Sequence, residues 1–182
     1  MPTKHRHMLI TGLPGVGKTT LVRRLAERLA EYSPVGFYTE EIRNSQGTRQ
    51  GFRIVTLCGR CLVLSHVEFA GRKRVGRYGV DVAGFERLLA QLNLSHARSP
   101  LFIIDEIGKM ECLCSLFVTE VTALLNGPNT VVATVAVKGE GLIRQVKDRP
   151  DCRLITVTRE NRDRLLSELA DELEGTLQRH RD

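Results

Sequence analysis

Tryptophan is absent from the 182 residues, and aromatic side chains make up only 5% of them. Proteins that bind single-stranded nucleic acid stack bases on aromatic rings, and this chain shows no recognisable platform of that kind. It also lacks any run of about 18 apolar residues, the length a membrane-spanning helix needs. The first apolar stretch, residues 8–16, is short and interrupted by glycine and proline, which fits neither a spanning helix nor a secretory core segment. No internal repeat, low-complexity segment or domain linker is visible. A soluble, cytoplasmic chain with no membrane partner is expected, folded as one domain over residues 1–182 and acting as a monomer.

Cysteine is present but unsuited to disulfide stapling. Five cysteines are an odd number in a chain that is 42% hydrophobic, large enough to hold together by its own core. Cys58-Gly-Arg-Cys61 has the spacing of a zinc knuckle, yet no second knuckle or histidine pair matches it, and Cys112-Leu-Cys114 falls at the start of a predicted helix. Structural zinc needs four such ligands, so reduced thiols are the reading here.

The formal charge of +6 comes from 27 basic and 21 acidic residues. Basic residues gather at positions 4–7, 72–77 and 179–182, without forming one strong cluster. A solvated surface with affinity for polyanionic nucleotides accounts for this better than a nucleic-acid partner.

Hydrophobic spacing divides the chain into alternating strands and helices. Residues 8–11 read as a buried strand running into a glycine-rich turn. Over residues 18–32 the apolar positions Leu21, Val22, Leu25, Ala26, Leu29 and Ala30 recur at helical intervals, and Pro34 ends the pattern. Residues 36–43 and 51–57 are predicted strands joined by Asn44-Ser45-Gln46-Gly47, a hairpin signature. Short strands are expected at 62–64 and 78–82, with residues 69–79 an exposed, mobile loop. A helix over 85–92, a strand over 101–104, a helix over 115–125, a strand over 130–135, a short helix over 141–146, a strand over 153–157 and a helix over 161–177 follow. This alternation implies an α/β fold, a mostly parallel sheet covered by helices on both faces.

Chemistry enters at Gly12, Leu13, Pro14, Gly15, Val16, Gly17, Lys18 and Thr19, a full match to the phosphate-loop pattern G-x-x-x-x-G-K-[ST]. Glycines let the backbone turn tightly so that its N–H groups reach a phosphate, and the following helix adds free donors and its positive end. Lys18 would set a cation between the β- and γ-phosphates, and Thr19 would offer its hydroxyl to Mg²⁺. The pattern lies between a strand and an amphipathic helix, as that mechanism requires.

Phosphoryl transfer at such a loop needs a carboxylate at the end of a neighbouring strand. Residues 101–104 lead into Asp105, read as the Mg²⁺-side acid acting through a water. Glu106, next to it, is read as the group that polarises the attacking water. A surface carboxylate or a helix-cap partner is the bland alternative for Glu106.

Several stretches together resemble the small P-loop nucleoside triphosphatases of the thermostable or cancer-related type. They are Thr11-Gly-Leu-Pro-Gly-Val-Gly-Lys-Thr-Thr20, Gly36-Phe-Tyr-Thr-Glu-Glu-Ile-Arg43, Gly51-Phe52, Arg74-Val-Gly-Arg-Tyr78, Ile104-Asp-Glu-Ile-Gly-Lys-Met-Glu111 and Thr156-Val-Thr-Arg-Glu-Asn-Arg162. The resemblance implies a three-layer P-loop NTPase with a recombinase-like, mostly parallel sheet and an antiparallel hairpin addition. It also implies slow, Mg²⁺-dependent hydrolysis of ATP, GTP, CTP and UTP to the diphosphate. By motif, Gly12 to Thr19 with Thr20 hold phosphate, and Leu101, Phe102, Ile103, Ile104, Asp105, Glu106, Ile107 and Gly108 form a second nucleotide-binding stretch. Lys109 is carried over as a cation near the γ-phosphate, with a surface ion pair equally open. Arg162, or Asn161 beside it, is carried over to the base or ribose, a helix-start cap being equally open for Asn161. Two departures are Leu13, where the family often has a second proline, and Ala136, where a proline is expected.

Two other functions share the loop. A kinase for a small molecule or polynucleotide would need an acceptor pocket and an arginine-bearing lid, for which residues 72–77 are the candidate. A nucleotide-switched RNA-binding module would use slow hydrolysis to reset a conformation.

Overall fold

The computed structural model describes residues 5–178. Its chain order is β1 (His7–Thr11), α1 (Lys18–Arg28), β2 (Val35–Arg43), β3 (Arg49–Thr56), β4 (Cys61–His66), β5 (Arg74–Val75), β6 (Tyr78–Val80), α2 (Val82–Leu92), β7 (Leu101–Ile107), α3 (Ser115–Asn126), β8 (Thr130–Val135), α4 (Leu142–Lys147), β9 (Cys152–Thr156) and α5 (Arg162–Gln178). The strands form one nine-stranded sheet in the order β5-β6-β4-β3-β2-β7-β8-β1-β9. The five strands β2, β7, β8, β1 and β9 are parallel, and β3, β4, β6 and β5 extend the sheet antiparallel.

Both faces of the central parallel strands β1, β7 and β8 are buried, which is why they read as mostly apolar runs. Alternate residues serve opposite faces. Met8 and Ile10 of β1, with Leu101 and Ile103 of β7, pack under α1 and α5 through Leu21, Leu25, Leu169 and Leu173. Leu9, Phe102 and Ile104 face the other way, against Phe85 of α2, Phe117 of α3 and Ile143 of α4. Phe37, Phe85 and Phe117 meet there with ring centroids 5.6–6.3 Å apart.

Four segments depart from the sequence reading. The first helix stops at Arg28, and a single 3-10 turn over Ala30–Tyr32 follows, burying Tyr32 before Ser33 takes a left-handed φ of 49°. The expected mobile loop over 69–79 contains the β5/β6 hairpin on the sheet edge, where the Arg74 guanidinium donates to the Phe69 and Arg77 carbonyls. The expected strand over 78–82 ends at Val80, because Asp81 caps α2 by accepting from the Gly84 N–H at 2.8 Å. The strand expected over 101–104 continues through the acid pair to Ile107, with a shift in its register against β8 after Ile104. The basic tail at 179–182 and Lys4 lie outside the described residues.

Candidate active site

The phosphate loop leaves β1 at Gly12 and enters α1 at Lys18. A Cβ on Gly12 would come within 2.5 Å of the Val157 carbonyl oxygen, and its φ of 153° also suits glycine alone. Gly17 is the N-cap of α1 with no side-chain cap and no acid in the first turn, so the free N–H groups and positive helix end are left to an anion. Lys18 folds back over the loop, its Nζ donating to the carbonyls of Gly12 (2.9 Å) and Leu13 (3.3 Å). Leu13, standing where a proline was expected, is 68% exposed on the loop's outer side.

Asp105 is buried at the carboxyl edge of the sheet, and threonines from three elements converge on it. Its Oδ2 accepts from Thr19 Oγ1 of the loop helix (2.8 Å), and from the backbone N–H and hydroxyl of Thr39 on β2 (both 3.2 Å). Its Oδ1 accepts from Thr134 Oγ1 of β8 at 2.5 Å. Such a carboxylate is held in one orientation with its charge hydrogen-bonded. The Asp105–Glu106 peptide bond is cis.

Glu106 is partly buried. Desolvation first, then the neighbouring Asp105 carboxylate, raise its pKa above the ordinary carboxylate range, while the Lys18 and Lys147 ammonium groups oppose that shift. Lys147 is itself anchored, donating to the carbonyls of Ala136 (2.5 Å) and Val137 (2.8 Å) just past β8. Ala136, at the other position where a proline was expected, gives its N–H to the Ile107 carbonyl at 3.2 Å, a bond that proline could not make. A raised pKa on an acid flanked by cations, beside a phosphate loop, suits a general base.

Two cavities flank this edge. One, of about 210 Å³, is lined by Gly17, Thr20, Leu21, Arg24, Arg162, Asp163 and Leu166, which brings Arg162 and Thr20 to the loop. Asn161 does not join them. Its Oδ1 accepts from the Thr158 N–H and its Nδ2 donates to the Thr156 carbonyl, so it ties down the turn before α5. The other cavity lies beyond Glu106 and includes Gly108, Lys109 and Lys138. In the stretch 101–108, Leu101, Phe102, Ile103, Ile104 and Ile107 are wholly buried. Their part is to carry Asp105 and Glu106 to the edge, with no surface left to touch a ligand.

Sequence reasoning missed Thr39, Thr134, Lys147 and Glu111. Thr39 and Glu111 lie inside runs quoted above for their family resemblance, but nothing in either run shows what each residue faces. Glu111 is buried against the turn that follows β7, and desolvation pushes its carboxyl up to about 8. Among the described residues no group of three or more His, Cys, Asp or Glu could hold a metal, and Cys58, Cys61, Cys112, Cys114 and Cys152 are all free.

A sheet whose first strand turns through a phosphate loop, with an acid pair near the end of the strand two places along, defines a P-loop NTPase. Within that class the chain belongs to the NTPase family, whose model matches residues 7–170. It is 40% identical over 176 residues to nucleoside-triphosphatase THEP1 of Aquifex aeolicus, covering 92% of this chain and 98% of the relative. It is 41% identical over 180 residues to the human cancer-related nucleoside-triphosphatase, covering 90% and 94%. The crystal structure of the Aquifex aeolicus THEP1 superposes with a TM-score of 0.80 at 39% identity, over 90% of this chain and 96% of that one. The solution structure of the human protein gives 0.78 at 38%, over 93% and 98%. As a member of this family the chain is an enzyme, a nucleoside-triphosphatase. No helix among the described residues is long and apolar enough to cross a membrane.

Proposed function

We propose that the enzyme hydrolyses ATP, GTP, CTP and UTP to the nucleoside diphosphate and orthophosphate, slowly and with Mg²⁺. The observation that carries this reading is the 2.8 Å bond between Thr19 and Asp105, which joins the phosphate loop to the acid pair at one point. The donor set there is all oxygen, a hydroxyl and a carboxylate. That suits Mg²⁺, which binds through one or two protein oxygens and takes its remaining ligands from water and substrate phosphates. When bound, the ion would neutralise charge on the β- and γ-oxygens.

The remaining work falls to side chains. Lys18 exchanges its two carbonyl partners for phosphate oxygens. Thr39 and Thr134 keep Asp105 oriented, and Glu106 takes the proton of the attacking water. Broad base tolerance is supported by the cavity beside Gly17, which offers the guanidinium planes of Arg24 and Arg162 and the aliphatic Leu166; stacking and apolar contact discriminate little between bases. Slow turnover is supported by the wall beyond Glu106, which supplies lysines and no arginine among the described residues. An arginine at the γ-phosphate accelerates such reactions by roughly 10³–10⁵. In this reading the enzyme works as a cytoplasmic monomer on free triphosphates, with reduced thiols.

Orthophosphate release from each of the four triphosphates, with Mg²⁺ and with a chelator, tests the reading. Release from all four that stops on chelation is expected. Release confined to one base, or persisting without divalent ions, would overturn it.

A further inference from the structure

Beyond Glu106 the site opens into a cavity of about 270 Å³, bounded by Thr39 on β2, Phe52 on β3, Val75 on β5, and Lys109 and Lys138 after β7 and β8. One water occupies about 30 Å³ of liquid, so this space far exceeds the need of a single attacking water. The four lysines at this edge are used differently. Lys18 and Lys147 are bound to backbone carbonyls, whereas Lys109 and Lys138 are exposed and have no hydrogen-bond or ion-pair partner among the described residues. Two unpaired ammonium groups therefore line a cavity that Glu106 and Glu111 also border.

We infer that this cavity is a binding site for orthophosphate, separate from the loop that holds the diphosphate. The inference rests on the hydrolytic reading above. In that reaction a water oxygen bonds to the γ-phosphorus in line with the departing bridge oxygen. The bridge P–O bond breaks, its electron pair stays on the diphosphate, and a water proton passes to Glu106. In-line attack comes from the side opposite the diphosphate, so the new phosphate moves toward Glu106 and the space behind it. Thr39, which donates to Asp105, belongs to this wall, so the cavity starts at the reacting end of the nucleotide. Once Glu106 has lost that proton, its carboxylate repels the anion, and the phosphate's resting place is the Lys109–Lys138 end. The apolar surfaces of Phe52 and Val75 lower the local dielectric and strengthen that attraction.

Calorimetric titration of inorganic phosphate into enzyme loaded with Mg²⁺ and ADP tests the site. Lys138→Glu reverses one of the two charges, and Val75→Asp adds a negative charge on another wall while leaving both lysines in place. Saturable phosphate binding to the loaded wild type is expected, weakened about tenfold or more in each variant, with ADP affinity changed by less than about twofold. Phosphate that binds only by displacing ADP, binding unchanged in both variants, or no saturable binding to the loaded wild type would each overturn the inference. The titration reads no turnover, so failure of the hydrolytic reading shows separately, as absence of phosphate release from ATP.

Discussion

Asp105 and Glu106 are adjacent carboxylates with different surroundings. Four hydrogen bonds from three threonines hold Asp105, while Glu106 accepts none from the described residues and is shaped mainly by desolvation. That contrast separates a fixed ligand-side acid from an acid able to take up a proton. The Lys147 ammonium favours the ionised form of Glu106, so Lys147→Met should raise its pKa further. A base works only when ionised, and the acidic limb of the pH–rate profile should then move to higher pH; an unmoved limb would mean that the Lys147 charge does not reach Glu106. Lys18, Thr19, Asp105 and Glu106 were legible in the sequence because one loop and one strand end carry them. Thr39 and Thr134 were not, because their role depends on which strands flank β7, and that order is a property of the sheet.

Among the elements, the central parallel strands and the helices over them were readable from periodicity, since burial on both faces leaves mostly apolar runs in β1, β7 and β8. The edge was harder to read. Gly71, Gly76 and Gly79 amid four basic residues suggest a loop, yet β5 and β6 gain their order from pairing with each other and from β4, a non-local contact that local composition cannot show. The join between the two halves of the sheet runs along β2, where Gly36 faces β7. A Cβ there would lie 1.8 Å from the Ile103 carbonyl oxygen, on a backbone with φ of 141°. Gly36→Ala should therefore force β2 from β7 and destabilise the fold by about 3 kcal/mol or more. A denaturant midpoint within error of wild type would show that the strands part without cost.

At the scale of the whole molecule, two buried titratable groups set opposing pH dependences. His7 on β1 is held neutral, its pKa pushed down to about 4 chiefly by desolvation. The neutral ring fits its bonds, with Nε2–H donating to the Leu125 carbonyl and Nδ1 accepting from the Val131 N–H. The nearby Asp151 carboxylate, 3.7 Å away, is engaged by Arg149. Between about 4 and 6.5 the unfolded chain binds a proton on His7 that the folded one does not, so this contribution to stability rises with pH. Glu111 acts in reverse. With its carboxyl raised from the ordinary 4.5 to about 8, the folded state keeps a proton that the unfolded state has lost, and stability falls as pH rises through that window. The two largely offset up to about 6.5, leaving a loss of about 2 kcal/mol between pH 6.5 and 8 from Glu111 alone. Glu111→Gln should flatten that decline in denaturant unfolding; a decline of equal size in the variant would assign it to other groups.

Whether Glu106 acts on a triphosphate held by Lys18 and Thr19 is decided by comparing wild type with Glu106→Gln for ATP binding and for orthophosphate release in the presence of Mg²⁺. Near-equal ATP affinity is expected, with release reduced at least about a hundredfold, the lower range for loss of a general base. Release at close to the wild-type rate from the Glu106→Gln enzyme would contradict that role.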